Sequence, residues 1–154
     1  MLEQPARFGR RSSLTGLLLP LSDRCLVLPN VAVAELIGYQ ACRPAPELPP
    51  WLLGWIDWRS QRLPLLAFEA ACGSELQVGE RARIVVLNAL GGTPRRFFAM
   101  LVQGIPRSCK LDSQLNYVDV PLHALELAAV QVGEQVARVP DLVSLEQLLQ
   151  TAGA

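Results

Sequence analysis

Residues 53–66, LGWIDWRSQRLPLL, set the strongest limit on what this chain can fold into. Two apolar runs flank a polar link, and Pro64 stiffens the second run. A helix interior does not tolerate Pro64, and Gly54 weakens one across Trp55 and Trp58. Trp51, Trp55 and Trp58 do stand at helical spacing, but Gly54 and the flanking prolines weigh against that reading. The segment reads as two short strands joined by a tight Ser60-Gln61 link, a β-hairpin. It carries no activated nucleophile, metal-ligand set or phosphate loop. It offers shape and contact rather than bond-breaking.

Turn residues punctuate the rest of the chain in the same way. Residues 14–21 and 25–27 are apolar and are split by Ser22-Asp23-Arg24, which predicts a first hairpin. Residues 31–37 follow Pro29-Asn30. As a strand they place Val33, Glu35 and Ile37 on one face and Ala32, Ala34 and Leu36 on the other. A short helical turn also fits their alanine, glutamate and leucine. Four prolines from residue 44 to residue 50 allow neither a helix nor a central strand there. Residues 83–87 are a β-branched run suited to the centre of a sheet, and residues 97–102 are apolar on both faces. Between them, LGGTP at 90–94 is turn chemistry. Residues 129–132 and 136–139 flank Gly133-Glu134-Gln135 as another hairpin. Ser144 and Gln147 have capping-box spacing, which predicts a short C-terminal helix beginning at Ser144. The sum is an all-β barrel or sandwich. Residues 1–13 read as a flexible basic arm and residues 151–154 as a tail.

One domain is expected at 154 residues, since domains run about 100–200 residues. The chain is 51% hydrophobic and 18% charged, which excludes a disordered chain and leaves apolar surface for a partner. Formal net charge is zero, but the charges are unevenly spread. Residues 81–111 carry Arg81, Arg83, Arg95, Arg96, Arg107 and Lys110 without an acid, and residues 119–154 carry Asp119, Glu126, Glu134, Asp141 and Glu146 against Arg138 alone. Such a split steers a partner or protects strand edges. Cys25, Cys42, Cys72 and Cys109 form no C-x-x-C pair, and His123 is the sole histidine. Neither a metal site nor a disulfide framework is expected, and free thiols fit a reducing cytoplasm. Arg10-Arg11 before an apolar run is export-like in outline. Gly16 and Pro20 break that run and no small-residue cleavage site follows, so a cytoplasmic chain is expected. No run reaches the roughly 20 apolar residues of a membrane helix.

Catalysis has little support. A cysteine nucleophile needs a base, and nothing in the sequence brings His123 to Cys25 or Cys72. Asp57 and Glu69 fall on different predicted strands, so no shared acid–base cleft is expected. Gly91-Gly92 lacks the lysine and helix start of a phosphate loop. No cofactor is expected. A small nucleic-acid-binding β-barrel is the second reading, with the basic segment 81–111 interleaving its charges with Phe97 and Phe98. Against it, adjacent strand residues face opposite ways, and the chain as a whole is not basic. Glu35 and Arg59 stand apart because each lies inside an apolar strand candidate. Charges so placed point to solvent or pair across strands beside an interface.

In order and spacing, these elements resemble the CheW-like adaptor family of bacterial chemosensory arrays. That family's pattern G-v-i-n-l-R-G, then an apolar strand with proline, stands here as Gly54-Trp55-Ile56-Asp57-Trp58-Arg59-Ser60 and Arg62-Leu63-Pro64-Leu65-Leu66. The upstream v-x-E-I element is matched by Val33-Ala34-Glu35-Leu36. The later g-l-v-V-D-x-V strand is similar to Ala99-Met100-Leu101-Val102-Gln103-Gly104-Ile105, and the closing hairpin and l-L-d-x-x-x-L-L to residues 136–149. The resemblance covers residues 14–150. It departs at Ser60 (usually glycine), Asp57 (asparagine) and Gln103 (aspartate), which fits a divergent adaptor of chemosensory systems controlling type IV pili and twitching motility. It implies two five-stranded barrel-like subdomains on a common core, with a short C-terminal helix. It implies a non-catalytic scaffold, with no nucleic-acid binding and no direct membrane insertion. Its partners are then the regulatory domain of a CheA-type histidine kinase and the cytoplasmic tip of a methyl-accepting chemoreceptor. Carried over by position, Glu35 and Arg59 are the polar pair near the receptor groove, and Val33 and Leu36 are its apolar neighbours. Met100 and Val102 are further protein-binding candidates.

Overall fold

The computed structural model describes residues 13–42, 47–112 and 115–154. One sheet contains β1 (Ser13–Pro20), β2 (Cys25–Pro29), β8 (Arg107–Asp112), β9 (Asn116–Tyr117), β10 (Glu126–Val132) and β11 (Gln135–Pro140), in the order β8-β1-β2-β11-β10-β9. The other contains β3 (Val33–Gly38), β4 (Leu52–Trp58), β5 (Gln61–Leu66), β6 (Arg83–Asn88) and β7 (Phe97–Val102), in the order β3-β6-β7-β5-β4. Helices α1 (Phe68–Ala71) and α2 (Leu142–Thr151) complete the fold. The two-subdomain β architecture with a C-terminal helix is as expected, and the first sheet gains a sixth strand, the two-residue β9. The basic arm expected over residues 1–13 lies outside the described residues except for Ser13, which opens β1.

Both sheets share a plan that the sequence does not announce as a repeat. Each is built around two hairpins joined by one parallel pair, with β8 and β9 flanking the first sheet and β3 the second. In the first sheet β1–β2 and β10–β11 meet where Arg138 lies opposite Leu26. In the second, β4–β5 and β6–β7 meet where Leu65 lies opposite Ala99. Only the second sheet is contiguous in sequence: the chain leaves the first after β2 and returns at β8.

Two-residue periodicity explains why β6 and β7 are apolar throughout. Val85, Leu87, Phe98, Met100 and Val102 face a core shared with Leu19, Leu26 and Leu28 of the first sheet and Leu142, Leu145 and Leu149 of α2. The alternate residues Ile84, Val86, Ala99 and Leu101 face a second cluster with Ile56, Trp58, Leu63 and Leu65. A smaller cluster of Leu18, Val27, Val130 and Ala137 sits on the far face of the first sheet.

Two local expectations are corrected. The hairpin of residues 53–66 turns at Arg59-Ser60, not at Ser60-Gln61: Trp58 pairs with Gln61, so Gln61 already belongs to β5. Arg59 and Ser60 have φ of 48° and 62°. Positive φ at both central residues is the type I′ pattern, whose twist matches the flanking strands. Arg59 is therefore a turn residue rather than a strand residue. The second correction is at α2, which begins at Leu142. Asp141 caps it by accepting from Ser144 N at 3.1 Å and Ser144 Oγ at 2.7 Å. The Asp141–Ser144 spacing competes with Ser144–Gln147 and prevails.

The turn yields a stability prediction. A left-handed L-residue costs about 1–2 kcal/mol, and glycine's extra freedom in the unfolded chain returns about 0.4–1 kcal/mol of that. Ser60→Gly is therefore expected to raise the thermal midpoint by about 1–4 °C, read by circular dichroism. A lowered midpoint would show that Ser60 is not strained.

Candidate functional site

Edge strand β3 sets up the site. Its pairing with β6 slips between Val33 and Glu35: Val33 lies opposite Leu87, Glu35 opposite Val86 and Leu36 opposite Val85. Leu87 and Val85 face the shared core, whereas Val86 faces the second cluster. The irregularity thus puts Val33 and Leu36 on one face and Glu35 and Ile37 on the other. This corrects the simple alternation, which grouped Val33 with Glu35. Val33 packs against the shared core and Leu36 remains 43% exposed.

Glu35 meets the tip of the β4–β5 hairpin. Its Oε1 accepts from Trp58 Nε1 at 3.0 Å and from Arg59 Nη2 at 3.0 Å. The Arg59 guanidinium also lies 4.6 Å from the centre of the Trp58 ring. Trp58 is itself buried and set edge-on to Phe97, with ring centres 4.9 Å apart. The expected Glu35–Arg59 pair therefore forms, organised by an indole that sequence reasoning overlooked. Its signal was present: Trp58 immediately precedes Arg59 and carries the one donor of an otherwise apolar ring. Met100 and Val102 are fully buried in the shared core, so their side chains present nothing to a partner.

A second polar cluster gathers around the β1–β2 turn. Glu126 is buried and accepts from Arg24 Nη1 at 2.8 Å, Arg138 Nη1 at 2.9 Å and His123 N at 2.9 Å. The β1–β2 turn supplies Arg24, whose other nitrogens grip Asp23, and Asp23 also accepts from Ser74. Ser22 donates through N and Oγ to Glu69, a buried residue of α1. The turn thus holds β10 on one side and α1 on the other. An open cleft of about 310 Å³ lies beside Arg24, His123, Glu126 and Arg138.

The hydrogen bonds from Arg24 pull the Asp23 carboxyl from its ordinary 3.8 to about 2, with Ser74 adding to them against the opposing effect of burial. The unfolded chain then binds the proton at higher pH than the folded one, so this stabilisation is complete above about pH 4 and fades as pH falls through about 2. Asp23→Asn is expected to flatten the loss of stability between pH 4 and pH 2, measured by urea unfolding at stepped pH. An unchanged slope would count against the Arg24–Asp23 contact.

No catalytic constellation assembles among the described residues. All four cysteines are free, and burial pushes each thiol up, away from the reactive thiolate. Asp57 is exposed while Glu69 is buried against Ser22, so the two carboxylates share no cleft. No metal-ligand cluster is found among the described residues. The basic segment 81–111 does not form a stripe. Arg83 donates to the carbonyls of Arg81 and Ala82, Arg95 to that of Ala154, and Arg107 to Gln135 of β11.

The family model for the CheW-like domain matches residues 15–150. The chain belongs to the CheW-like domain family. No curated protein matches the chain. Among solved structures it is similar to the scaffolding protein TtCheW from Thermoanaerobacter tengcongensis, with a TM-score of 0.71 and 16% identity over 84% of each chain. At that identity the likeness shows the shared fold. CheW-like proteins are non-catalytic scaffolds of chemosensory signalling. No helix among the described residues is long and apolar enough to cross a membrane.

Proposed function

We propose that this CheW-like chain is a cytoplasmic adaptor joining the tip of a methyl-accepting chemoreceptor to the regulatory domain of a CheA-type histidine kinase. The observation that carries the proposal is the exposed Arg59, fixed at a hairpin tip by Glu35 and the Trp58 ring. A surface ion pair adds about 0–1 kcal/mol and an exposed cation–π contact about 0.5–1 kcal/mol. Stability alone does not account for a carboxylate and an indole ring converging on one exposed guanidinium. Holding a long side chain in place before contact lowers the ordering cost of binding. Val33 and Leu36 supply apolar surface from the other face of β3, where the two sheets meet. The substitutions at Ser60, Asp57 and Gln103 support placement in a system controlling type IV pili and twitching motility. Deleting the gene is then expected to alter twitching rather than swimming.

Purified chain mixed with the cognate kinase regulatory domain, or with a receptor-tip fragment, is expected to co-elute on size exclusion. Arg59→Glu is expected to weaken at least one of these complexes tenfold or more, about 1.4 kcal/mol, with an unchanged far-UV circular dichroism spectrum. Failure of the native chain to bind either partner would overturn the adaptor reading. Undiminished binding by the variant would remove Arg59 from the contact.

A further inference from the structure

We propose that Gln103 is a positioning residue whose amide straps residues 74–79 across the crossing between the two sheets. The chain leaves the first sheet after β2 and returns to it through residues 103–106. That return runs against the end of β1. Gln103 N donates to Pro20 O at 2.8 Å, and a Cβ at Gly104 would stand 3.1 Å from Pro20 Cγ.

Residues 72–82, which connect α1 to β6, form neither strand nor helix. Their backbone groups must find partners elsewhere, and Gln103 supplies two. Its Oε1 accepts from Gly79 N at 2.9 Å, and its Nε2 donates to Gln77 O at 3.1 Å. One orientation of the amide makes both bonds; the flipped one would oppose donor to donor and acceptor to acceptor. Glycine at 79 admits this approach, since a Cβ there would lie 3.3 Å from Gln103 Oε1. Ser74 fixes the other end of the segment, its Oγ donating to Asp23 in the β1–β2 turn. Residues 74–79 are thus held by the turn of the first sheet at one end and by the exit of the second at the other. Leu76 packs against the second cluster, but Gln77, Val78 and Gly79 are exposed. At that end the amide grip takes the place of packing.

The grip gives the departure at residue 103 a physical reason. The aspartate usual there is one carbon shorter and, when ionised, has no donor. It could accept from Gly79 N but would turn a second acceptor toward the Gln77 carbonyl. Glutamine and this strap therefore belong together. The grip lies on connecting segments apart from the Arg59 hairpin and does not depend on the adaptor reading.

Hydrogen exchange followed by NMR on the full chain reads both arms of the grip. In the native chain the Gln103 side-chain amide is expected to exchange more slowly than that of exposed Gln150. Gln103→Met keeps the length of the side chain and removes both polar groups. It is expected to speed exchange at Gly79 N by about fivefold or more, the size of one net hydrogen bond. Trypsin cleavage after the exposed Arg81, identified by mass, should accelerate with it. Gln103→Asp is expected to speed cleavage in the same way. Val130→Ala, in the small cluster on the far face of the first sheet, lowers global stability without touching the strap. It is expected to leave Gly79 exchange and Arg81 cleavage at native rates, because both proceed by local opening. The proposal is overturned if Val130→Ala accelerates them as much as Gln103→Met does, since Gln103 would then add only to global stability. Native rates in both Gln103 variants would overturn it too, as would a Gln103 side-chain amide that exchanges as fast as that of Gln150. If a variant does not fold, the side-chain amide of the native chain still decides.

Discussion

Trp58→Ala is expected to destabilise the fold by about 3–5 kcal/mol, the usual range for truncating a buried tryptophan. Against a typical stability of about 5–15 kcal/mol, the variant retains little margin. Three losses combine at this position. The ring fills the second cluster among Ile56, Leu63, Ile84, Val86 and Leu101, and truncation leaves a cavity there. Its edge contact with Phe97 disappears. The Nε1 donor to Glu35 and the platform under Arg59 also go, so the hairpin tip is released from β3. Trp58→Phe separates these effects. It keeps most of the packing and removes the donor, at an expected cost of about 1 kcal/mol. Urea unfolding followed by far-UV circular dichroism measures both. If the contact at Arg59 depends on Trp58, the phenylalanine variant folds yet binds receptor tip or kinase more weakly than the native chain. A loss below 1 kcal/mol in Trp58→Ala would mean that the second cluster repacks.

What could be read from the sequence follows from how local each signal is. β6 and β7 were legible because burial on both faces demands unbroken apolar runs, and 83–87 and 97–102 supply them. Glu35 and Arg59 were legible because a charge amid apolar strand residues calls for a partner, and each is the other's. The turn at Arg59-Ser60 was displaced by one residue because neither residue is glycine, asparagine or aspartate, the usual marks of positive φ. The slip in β3 left no trace, since it is set by pairing with β6 rather than by β3 itself. Hence Val33 and Leu36, one odd and one even, were assigned to opposite faces and share one. The polar cluster at Glu126 was the least legible. Its partners come from residues 102 and 12 positions away, and each taken alone reads as a solvated surface charge.

That cluster carries the second large effect. Glu126→Ala is expected to cost about 3 kcal/mol, near the lower end of the roughly 3–5 kcal/mol for breaking a buried ion pair. The lower end applies because Arg24 and Arg138 keep 16% and 24% of their side-chain surface in water and can solvate in part once released. The Glu126 side chain is only 2% exposed, so water cannot replace it without opening the junction. Glu126→Gln keeps the shape but leaves a single acceptor oxygen for three donors, and is expected to lose somewhat less. Glu35→Gln is the contrast. Its partner Arg59 is 67% exposed, so the expected cost is below about 1 kcal/mol and shrinks further in salt. Urea midpoints at low salt and at 1 M salt distinguish the two, since screening reaches the hairpin tip but not the enclosed carboxylate. A salt-insensitive loss at Glu126 would show that the enclosed carboxylate holds the β1–β2 turn to β10 and β11, a turn where Arg24 also engages Asp23 and lies 5.6 Å from the ring centre of Phe68. A loss as small and as screened as that at Glu35 would mean that packing alone holds the β1–β2 turn against β10 and β11.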